Sequence, residues 1–199
     1  MALAKQAKIL NDKQQNLILT YLNGTRYPLR NKLIYLLSFK AGLRAKEIAE
    51  ITWLMVCNAD GDVGLAINLN NQASKGQYSG RIIPMHKDLR ECLLELYKVE
   101  KQKDNFSLEN HIIKTERSPR TSAQVIVNFF SLLYKDIGFS GCSSHSGRRT
   151  FITNAAKNIG FVGGTLNDVR MLAGHSSLTT TQRYIAYDTE AQKKIVELV

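Results

Sequence analysis

Hydrophobic side chains recur every three or four residues through most of the chain, which is the spacing of one face of an α-helix. Capping-box, proline and glycine signals divide this pattern into separate segments. The pattern predicts helices over residues 12–23, 28–42, 45–51, 86–101, 121–137, 144–158, 166–172 and 189–199. Asp12 with Gln15 predicts the capping box of the first helix.

A different pattern covers the region between the third and fourth predicted helices. Apolar residues alternate with small or polar ones over residues 65–69, and a second β-like run covers 81–84. The Gly- and Ser-containing stretch 74–80 between them predicts a hairpin with Lys75 near its tip. Residues 111–113 predict one more short strand. The expected fold class is therefore α+β, mainly α with a small antiparallel β-sheet.

The length and composition of the chain predict one domain with a substantial core. The 199 residues include 44% hydrophobic residues, and no internal repeat or linker-like segment interrupts them. No run of about 18 apolar residues is present, and Lys5 and Lys8 interrupt the apolar start, so neither a membrane span nor a signal peptide is expected. The three cysteines have no CxxC spacing and are interpreted as buried thiols: Cys57, Cys92 and Cys142.

Positive charge is concentrated in three separate segments of the sequence. The chain has 27 Lys and Arg against 17 Asp and Glu, a net charge of +10. Residues 26–48, 72–90 and 143–187 together hold fifteen of those basic residues and three of the acidic ones. This clustering favours one basic surface for a polyanion, nucleic acid before a membrane surface. The charge alone leaves an ordinary solvated surface open.

Three short motifs add candidate chemistry. Arg44 follows a glycine in the segment GLRAKEI, where its planar fork of donors could bind a phosphate. His145 and Arg148 lie three residues apart, so on a helix their side chains would share one face. Gly174-His175 is followed nine residues later by Tyr184. Taken singly, each of these residues is also compatible with an ordinary structural role.

The order and spacing of the motifs are more specific than any one of them. GLRxxE, a hairpin lysine followed by RxxP, HxxR, and GH with a tyrosine nine residues beyond it occur in this order. The chain in this respect resembles the tyrosine recombinase family of phage-integrase type, from about residue 12 to residue 190. The resemblance implies a DNA breaking-rejoining fold and a site-specific recombinase that cleaves and rejoins DNA through a covalent 3′-phosphotyrosine. It also implies double-stranded DNA as partner, a tetramer on paired sites, no membrane contact, and a cytoplasmic, nucleoid-associated location.

The resemblance implies a shared catalytic set, made up of Arg44, Lys75, His145, Arg148, His175 and Tyr184. In this set Arg44, Arg148 and His175 hold the scissile phosphate, and Tyr184 is the nucleophile. Lys75 gives a proton to the leaving hydroxyl, and His145 assists proton transfer. Glu47 orients Arg44 in a supporting role. Neither a metal ion nor another cofactor is implied.

The chain departs from the commonest family spacing at two places. The interval 75–81 is one residue longer and the interval 160–175 about three residues longer, and both predict longer loops. Lys87 is therefore an alternative to Lys75 as the hairpin lysine, although it lies beyond the strand. Tyr187 is the rival nucleophile, and the spacing disfavours it.

The domain boundaries and the exact activity leave alternatives open. We expect one catalytic domain over 1–199, with core elements over 12–187 and no N-terminal core-binding domain, so the chain is part of a longer protein or a minimal recombinase. The C-terminal helix 189–199 is expected to dock on a neighbouring subunit, as the resemblance implies, or on its own domain. A DNA-binding regulator or accessory subunit with the same fold, and a type IB topoisomerase, are alternative functions. The target sequence, and the choice among integration, excision, inversion and resolution, cannot be read from the sequence.

Overall fold

The computed structural model describes residues 7–74, 80–184 and 196–197. Within them the chain forms eight α-helices: α1 Asp12–Asn23, α2 Pro28–Lys40, α3 Ala45–Glu50, α4 Lys87–Glu100, α5 Ala123–Asp136, α6 Ser146–Asn158, α7 Leu166–Ala173 and α8 Leu178–Gln182. Strands β1 Ala66–Leu69 and β2 Arg81–Pro84 pair as one antiparallel hairpin. Short 3-10 turns cover Trp53–Met55 and Ile159–Val162. The expected class, mainly α with a small antiparallel sheet, is confirmed.

The start of α1 differs by one residue from the expectation. The Asn11 side chain accepts a hydrogen bond from Gln14 N at 2.9 Å, and the Gln14 side chain accepts one from Asn11 N at 3.0 Å. Asn11 has the extended backbone that a capping residue needs, whereas Asp12 is already the first helical residue. The predicted pair of Asp12 with Gln15 is therefore wrong as a capping box, and the box lies one position earlier.

The predicted strand over 111–113 is only an isolated bridge. Thr52 pairs with His111, and Ile112 N donates to Ile51 O at 2.9 Å. Ile112 and the residue after it are both buried, so the segment lacks the alternation that a two-faced strand requires. The segment packs into the core instead of extending the sheet.

Helix α8 was not predicted, because five residues are too few for a periodic pattern to be visible. Its start is capped by Ser177, whose side chain accepts from Thr180 N at 3.3 Å. Lys75, Tyr187 and, apart from 196–197, the predicted helix 189–199 lie outside the described residues.

The main core forms around α2, which packs against α1, α4 and α6. Its sequence is apolar on nearly every side, and eight of its thirteen residues are buried. A smaller apolar cluster of Ile152, Val169 and Ala173 joins α6 to α7, and Tyr184 packs against it. This second cluster positions the segment that follows α7.

Two further findings concern the cysteines and the helix lengths. Cys57 and Cys92 are buried and Cys142 is half-buried, and all three are free thiols. Among the described residues, no helix combines the length and apolar character needed to cross a bilayer.

The hairpin register places an arginine on the inner face of the sheet. Ile67 pairs with Ile83, and Leu69 pairs with Arg81. The three apolar residues are buried, and Arg81 shares their face because it lies two positions before Ile83. The strand therefore carries a cationic side chain into the protein interior.

Candidate active site

A sharp corner between α2 and α3 positions Arg44. Gly42 has a φ of +65°, and a Cβ atom there would lie 2.5 Å from the ring of Phe151, so only glycine fits. Leu43 N donates to Leu37 O at 3.0 Å, which closes the corner. Arg44 then stands at the N-cap of α3, with 29% of its side chain exposed, so it is open to a ligand.

One buried carboxylate holds two arginines. Glu47, only 1% exposed, accepts from Arg44 N at 2.8 Å and from Arg44 Nη1 at 3.0 Å. Arg81 binds both Glu47 oxygens, with distances of 2.8 and 3.1 Å. Burial tends to raise the pKa of Glu47, but the hydrogen bonds and charges of the two arginines outweigh it and lower the pKa. The predicted orientation of Arg44 by Glu47 stays a prediction about catalysis, whereas the contact itself is present.

Arg81 also joins the hairpin to the end of α7. Its Nε donates to Leu172 O at 2.9 Å, and its guanidinium lies where a side chain on Gly174 would be, 2.7 Å from a Cβ. In the sequence, Arg81 marks only the spacing of the RxxP motif, and no role is predicted for it. The sequence did contain a signal for this role: Arg81 lies two residues before Ile83, so the alternation of a strand places both side chains on the same, inner face of β2.

Arg148 is held inside the protein by backbone carbonyls. The residue is 3% exposed, and its Nη2 donates to Ala173 O at 2.6 Å while its Nη1 donates to Gly42 O. Burial and the nearby charge of Arg44 lower the pKa of Arg148 to about 10, so it stays cationic at neutral pH. The backbone thus fixes the guanidinium before any ligand enters.

Both nitrogens of the buried His175 ring have partners. Nε2 lies 3.0 Å from Arg148 Nη2, and Nδ1 lies 2.9 Å from Thr181 Oγ1. Burial, followed by the positive charge of Arg148, lowers the pKa of His175 to about 4. The imidazole is therefore neutral at physiological pH.

Tyr184 lies against His175, with ring centroids 5.2 Å apart and the rings 27° from parallel. Its backbone is fixed on both sides, since Tyr184 N donates to Thr181 O at 3.0 Å and Thr153 Oγ1 donates to Tyr184 O at 3.0 Å. The phenol borders an open cleft of about 360 Å³, which is lined by Ala7, Ser143, His145, Arg149, Thr180, Arg183 and Tyr184. The tyrosine is thus held next to open space.

His145 and Arg148, the two residues of the HxxR motif, differ in exposure. His145 is exposed at the N-cap of α6 and lines the cleft beside Tyr184. Arg148 lies within the helix and points into the interior, because its guanidinium is bound to backbone carbonyls there. The imidazole is therefore exposed to the cleft, whereas the guanidinium is buried.

Folding brings one arginine from each of the three basic segments to the same site: Arg44, Arg81 and Arg148. Of the predicted set, Arg44, Arg148, His175 and Tyr184 lie together, with Glu47 beneath them. Lys87 is exposed at the first position of α4. In the parts of the chain that the structure describes, no group of three His, Cys, Asp or Glu side chains is arranged to hold a metal ion.

Comparison with known proteins gives a family match over most of the chain. The model of the phage integrase family matches residues 8–191. The chain is 26% identical over 182 residues to tyrosine recombinase XerC of Rickettsia bellii strain OSU 85-389. The aligned region covers 89% of this chain and 55% of that protein. The chain therefore spans about half the length of the curated relatives that it matches.

Solved structures agree with this match at the level of the fold. The XerA recombinase has a TM-score of 0.72 at 18% identity, over 100% of this chain and 65% of the other. The Tn1549 transposon integrase in complex with transposon right end DNA has a TM-score of 0.71 at 18% identity, over 100% and 68%. The fold, the order of the motifs and the family match agree, and the chain belongs to the phage integrase family.

Proposed function

We propose that residues 1–199 form one catalytic domain of a site-specific recombinase that cleaves and rejoins double-stranded DNA. The observation that carries this proposal is the junction of two arginines with a histidine and a tyrosine. Arg44 Nη2 donates to Gly174 O at 3.1 Å, Arg148 contacts the His175 ring, and that ring stacks on Tyr184. Arg44 and Arg148 both keep N–H groups that no described residue accepts. Those of Arg44, whose side chain is 29% exposed, are open to a phosphate, and the buried Arg148 lies directly behind them.

The charge of the cluster suits phosphoryl transfer. Three guanidinium groups surround one carboxylate while His175 is neutral, so the site has an excess of two positive charges. A phosphodiester carries one negative charge, and a five-coordinate transition state carries two. Fixed cations in a partly buried site stabilise that additional charge without having to reorganise. This excess favours the transition state over the bound substrate.

In the proposed reaction, Tyr184 Oη attacks the phosphorus atom and forms a phosphotyrosyl bond to the 3′ side of the break. The bond from phosphorus to the 5′ oxygen breaks, and that oxygen leaves as a hydroxyl. Religation reverses these steps with a different 5′-hydroxyl, so the bond energy is kept. Arg44 and Arg148 hold the phosphate, and His175 joins them through Nε2 once that nitrogen carries a hydrogen beside the bound phosphate. No metal ion is needed because arginines supply the charge.

Two proton transfers accompany the exchange of bonds. The proton of Tyr184 leaves as its oxygen attacks, and His145, which borders the same cleft, assists this transfer. The leaving 5′ oxygen gains a proton from Lys75, a role taken from the family resemblance. Lys75→Ala is expected to slow cleavage of ordinary DNA and to be rescued when sulfur replaces that oxygen, since a thiolate leaves without a proton. Without rescue, the general acid is another residue, with Lys87 first in line.

The proposed partners are double-stranded DNA and further copies of the chain, as a tetramer on paired sites. The Tn1549 integrase to which this chain is similar was solved on transposon DNA, which supports the first partner. XerC of Rickettsia bellii, the relative by sequence, supports site-specific recombination as the activity.

The decisive experiment uses a nicked suicide duplex that traps the covalent intermediate. The duplex carries a site obtained by selecting genomic fragments that the protein binds, and the reaction contains excess EDTA. The protein is expected to form a covalent band on this DNA. Tyr184→Phe should abolish the band and leave DNA affinity nearly unchanged, because only the nucleophilic oxygen is removed.

Tyr21→Phe is the matched control, because it removes a phenol hydroxyl on α1 that bonds to Asp136, outside the site. It should leave the amount of adduct unchanged. Peptide mass mapping that places the adduct on Tyr187 contradicts the assigned nucleophile. A strict requirement for magnesium contradicts the mechanism. Specific DNA binding without any adduct supports the alternative, a regulator or accessory subunit.

A further inference from the structure

The hydrogen bonds of His175 define which of its nitrogens carries the proton. Arg148 Nη2 lies 3.0 Å from Nε2, and a guanidinium only donates, so Nε2 of the neutral ring must accept. The hydrogen is then on Nδ1 and is donated to Thr181 Oγ1, 2.9 Å away. The other tautomer would place two N–H groups against each other at Nε2. The geometry therefore selects the Nδ1–H tautomer in the free protein.

Thr181 is buried within the site and hydrogen-bonded to its residues. It lies on α8 and is completely buried. Among the described residues, its hydroxyl is the hydrogen-bond partner of His175 Nδ1. Its backbone oxygen accepts from Tyr184 N at 3.0 Å. The ring of His175 is also fixed from its backbone, since His175 N donates to Arg170 O at 3.1 Å and Arg170 Nη1 donates to His175 O at 3.1 Å.

The tautomer matters because it determines how Arg148 is held. Arg148 Nη2 is shared between Ala173 O at 2.6 Å and His175 Nε2 at 3.0 Å. If Nε2 carried the hydrogen in the free protein, where no phosphate accepts it, it would repel this N–H group and turn the guanidinium away from its present orientation. A neutral His175 in the same position thus aligns or misaligns Arg148, depending on which of its two ring nitrogens carries the hydrogen.

We propose that Thr181 is a positioning residue, which holds His175 in the Nδ1–H tautomer so that Nε2 accepts from Arg148 and aligns it for the phosphate. The proposal rests on the proposed function for its catalytic consequence. Its structural part concerns the free protein alone. Because a hydroxyl can donate as well as accept, Thr181 also supports the ring if Nε2 later takes a hydrogen toward the bound phosphate.

Nitrogen NMR of the full chain tests the tautomer directly. The protein is labelled with ¹⁵N at its four histidines, and the signals of His175 are assigned by their loss in His175→Gln. At neutral pH the free protein should show a protonated Nδ1 and an unprotonated Nε2 at this residue. Thr181→Val keeps the branched shape but removes the hydroxyl, so the two nitrogens should shift toward a mixture of tautomers. Thr181→Ser keeps the hydroxyl and should keep the original signature.

The second readout is the rate of covalent adduct formation on the suicide duplex. Thr181→Val should lower this rate by about 10- to 100-fold, the range for loss of a residue that orients a metal-bound histidine, taken here as the nearest analogy. DNA affinity should change by less than about threefold. Thr181→Ser should restore most of the rate. Thr179→Val, at an exposed position of the same helix, is the matched control and should change neither readout.

These readouts separate the possible outcomes. A hydrogen on Nε2 in the free wild-type protein overturns the proposal, as does a Thr181→Val variant with an unchanged tautomer and rate. If Thr181→Val does not fold, the wild-type signature together with the signature and rate of Thr181→Ser decides the question. The expected tautomer in a protein that forms no adduct supports the hydrogen-bond assignment and contradicts the proposed function instead.

Discussion

Glu47 is the residue on which the arrangement of the two outer arginines depends. Its carboxylate accepts four hydrogen bonds, two from Arg44 and two from Arg81, so its lone pairs are saturated. A buried carboxylate costs several kcal/mol unless it is paired, and here two cations compensate it. We therefore expect Glu47 to act through the arginines and not on the substrate.

Single arginine deletions are expected to have large effects on chemistry. Arg44→Ala and Arg148→Ala should each lower the rate of covalent adduct formation by at least ~100-fold, because each removes a fixed donor from a transition state whose charge is increasing. Single-turnover kinetics on the suicide duplex measures this rate. Arg26→Ala, at a side chain that is 77% exposed, is the control and should have little effect. A loss below tenfold for either site variant would show that its guanidinium does not contact the reacting phosphate.

His175 should make the stability of the protein depend on pH. Its pKa is about 4 in the folded protein and about 6.5 when unfolded, so between these values the unfolded chain binds more protons. Stability therefore falls as the pH is lowered through this window. Between pH 7 and pH 5 the free energy of unfolding should decrease by about 1 to 2 kcal/mol on account of this group.

Urea unfolding at the two pH values measures the effect. In His175→Gln the decrease should be smaller by that amount, because the titrating group is gone. His145→Gln, which removes an exposed imidazole, is the control and should keep the wild-type decrease. Equal pH dependence in the wild type and His175→Gln contradicts the burial argument. The contribution of Glu47, whose pKa is lowered, belongs to the more acidic range below about pH 4.5.

At the scale of elements, the contact between α2 and α6 is close enough to depend on one glycine. A Cβ atom on Gly147 would lie 2.5 Å from Ser38 Oγ and 3.1 Å from Ser38 Cβ. Gly147→Ala should therefore lower the free energy of unfolding by about 1 to 3 kcal/mol, the usual cost of overpacking. Urea unfolding at neutral pH gives the value. Gly160→Ala is the control, since no atom lies within 4 Å of its Cβ position.

Ser38 tests the cause of that loss. Its buried Oγ has no hydrogen-bond partner among the described residues, so Ser38→Ala should be nearly neutral by itself. The cost of Gly147→Ala should be smaller in the Ser38→Ala background, because the closest atom has been removed. The same cost in both backgrounds would mean that the glycine is needed for another reason. Because α6 carries Arg148, this contact also sets the position of a site residue.

At the scale of the whole molecule, the expected tetramer depends on the C-terminal sequence. Ile195, Val196 and Val199 form an apolar stripe on a predicted helix that is too short to be stable alone in water. Deleting residues 189–199 should leave monomer folding and single-site DNA binding largely intact but remove cooperative assembly on paired sites. Gel-shift assays with one-site and two-site DNA measure this difference. A melting temperature well below that of the full chain would instead mean that this segment packs on its own domain.

The sequence by itself determined the helices, the hairpin and the order of the site motifs. These depend on neighbours a few residues apart, such as the stripe that forms α4 or the glycine corner before Arg44, so a local pattern carries them. It also selected Tyr184, through its spacing from His175, as the candidate nucleophile, which stays a prediction. Short elements were less visible, and α8, with five residues, was missed.

Only the tertiary structure decided which side chains share a hydrogen bond. Arg81 and Glu47 are 34 residues apart, and Arg148 and His175 are 27 apart, so no local pattern encodes either pair. The burial of Arg81 on the inner face of β2 and the proposed proton position on His175 both follow from these contacts. The physical reason is that side-chain burial and hydrogen bonding depend on distances in space, which are set when α2, α6, α7 and the hairpin pack together.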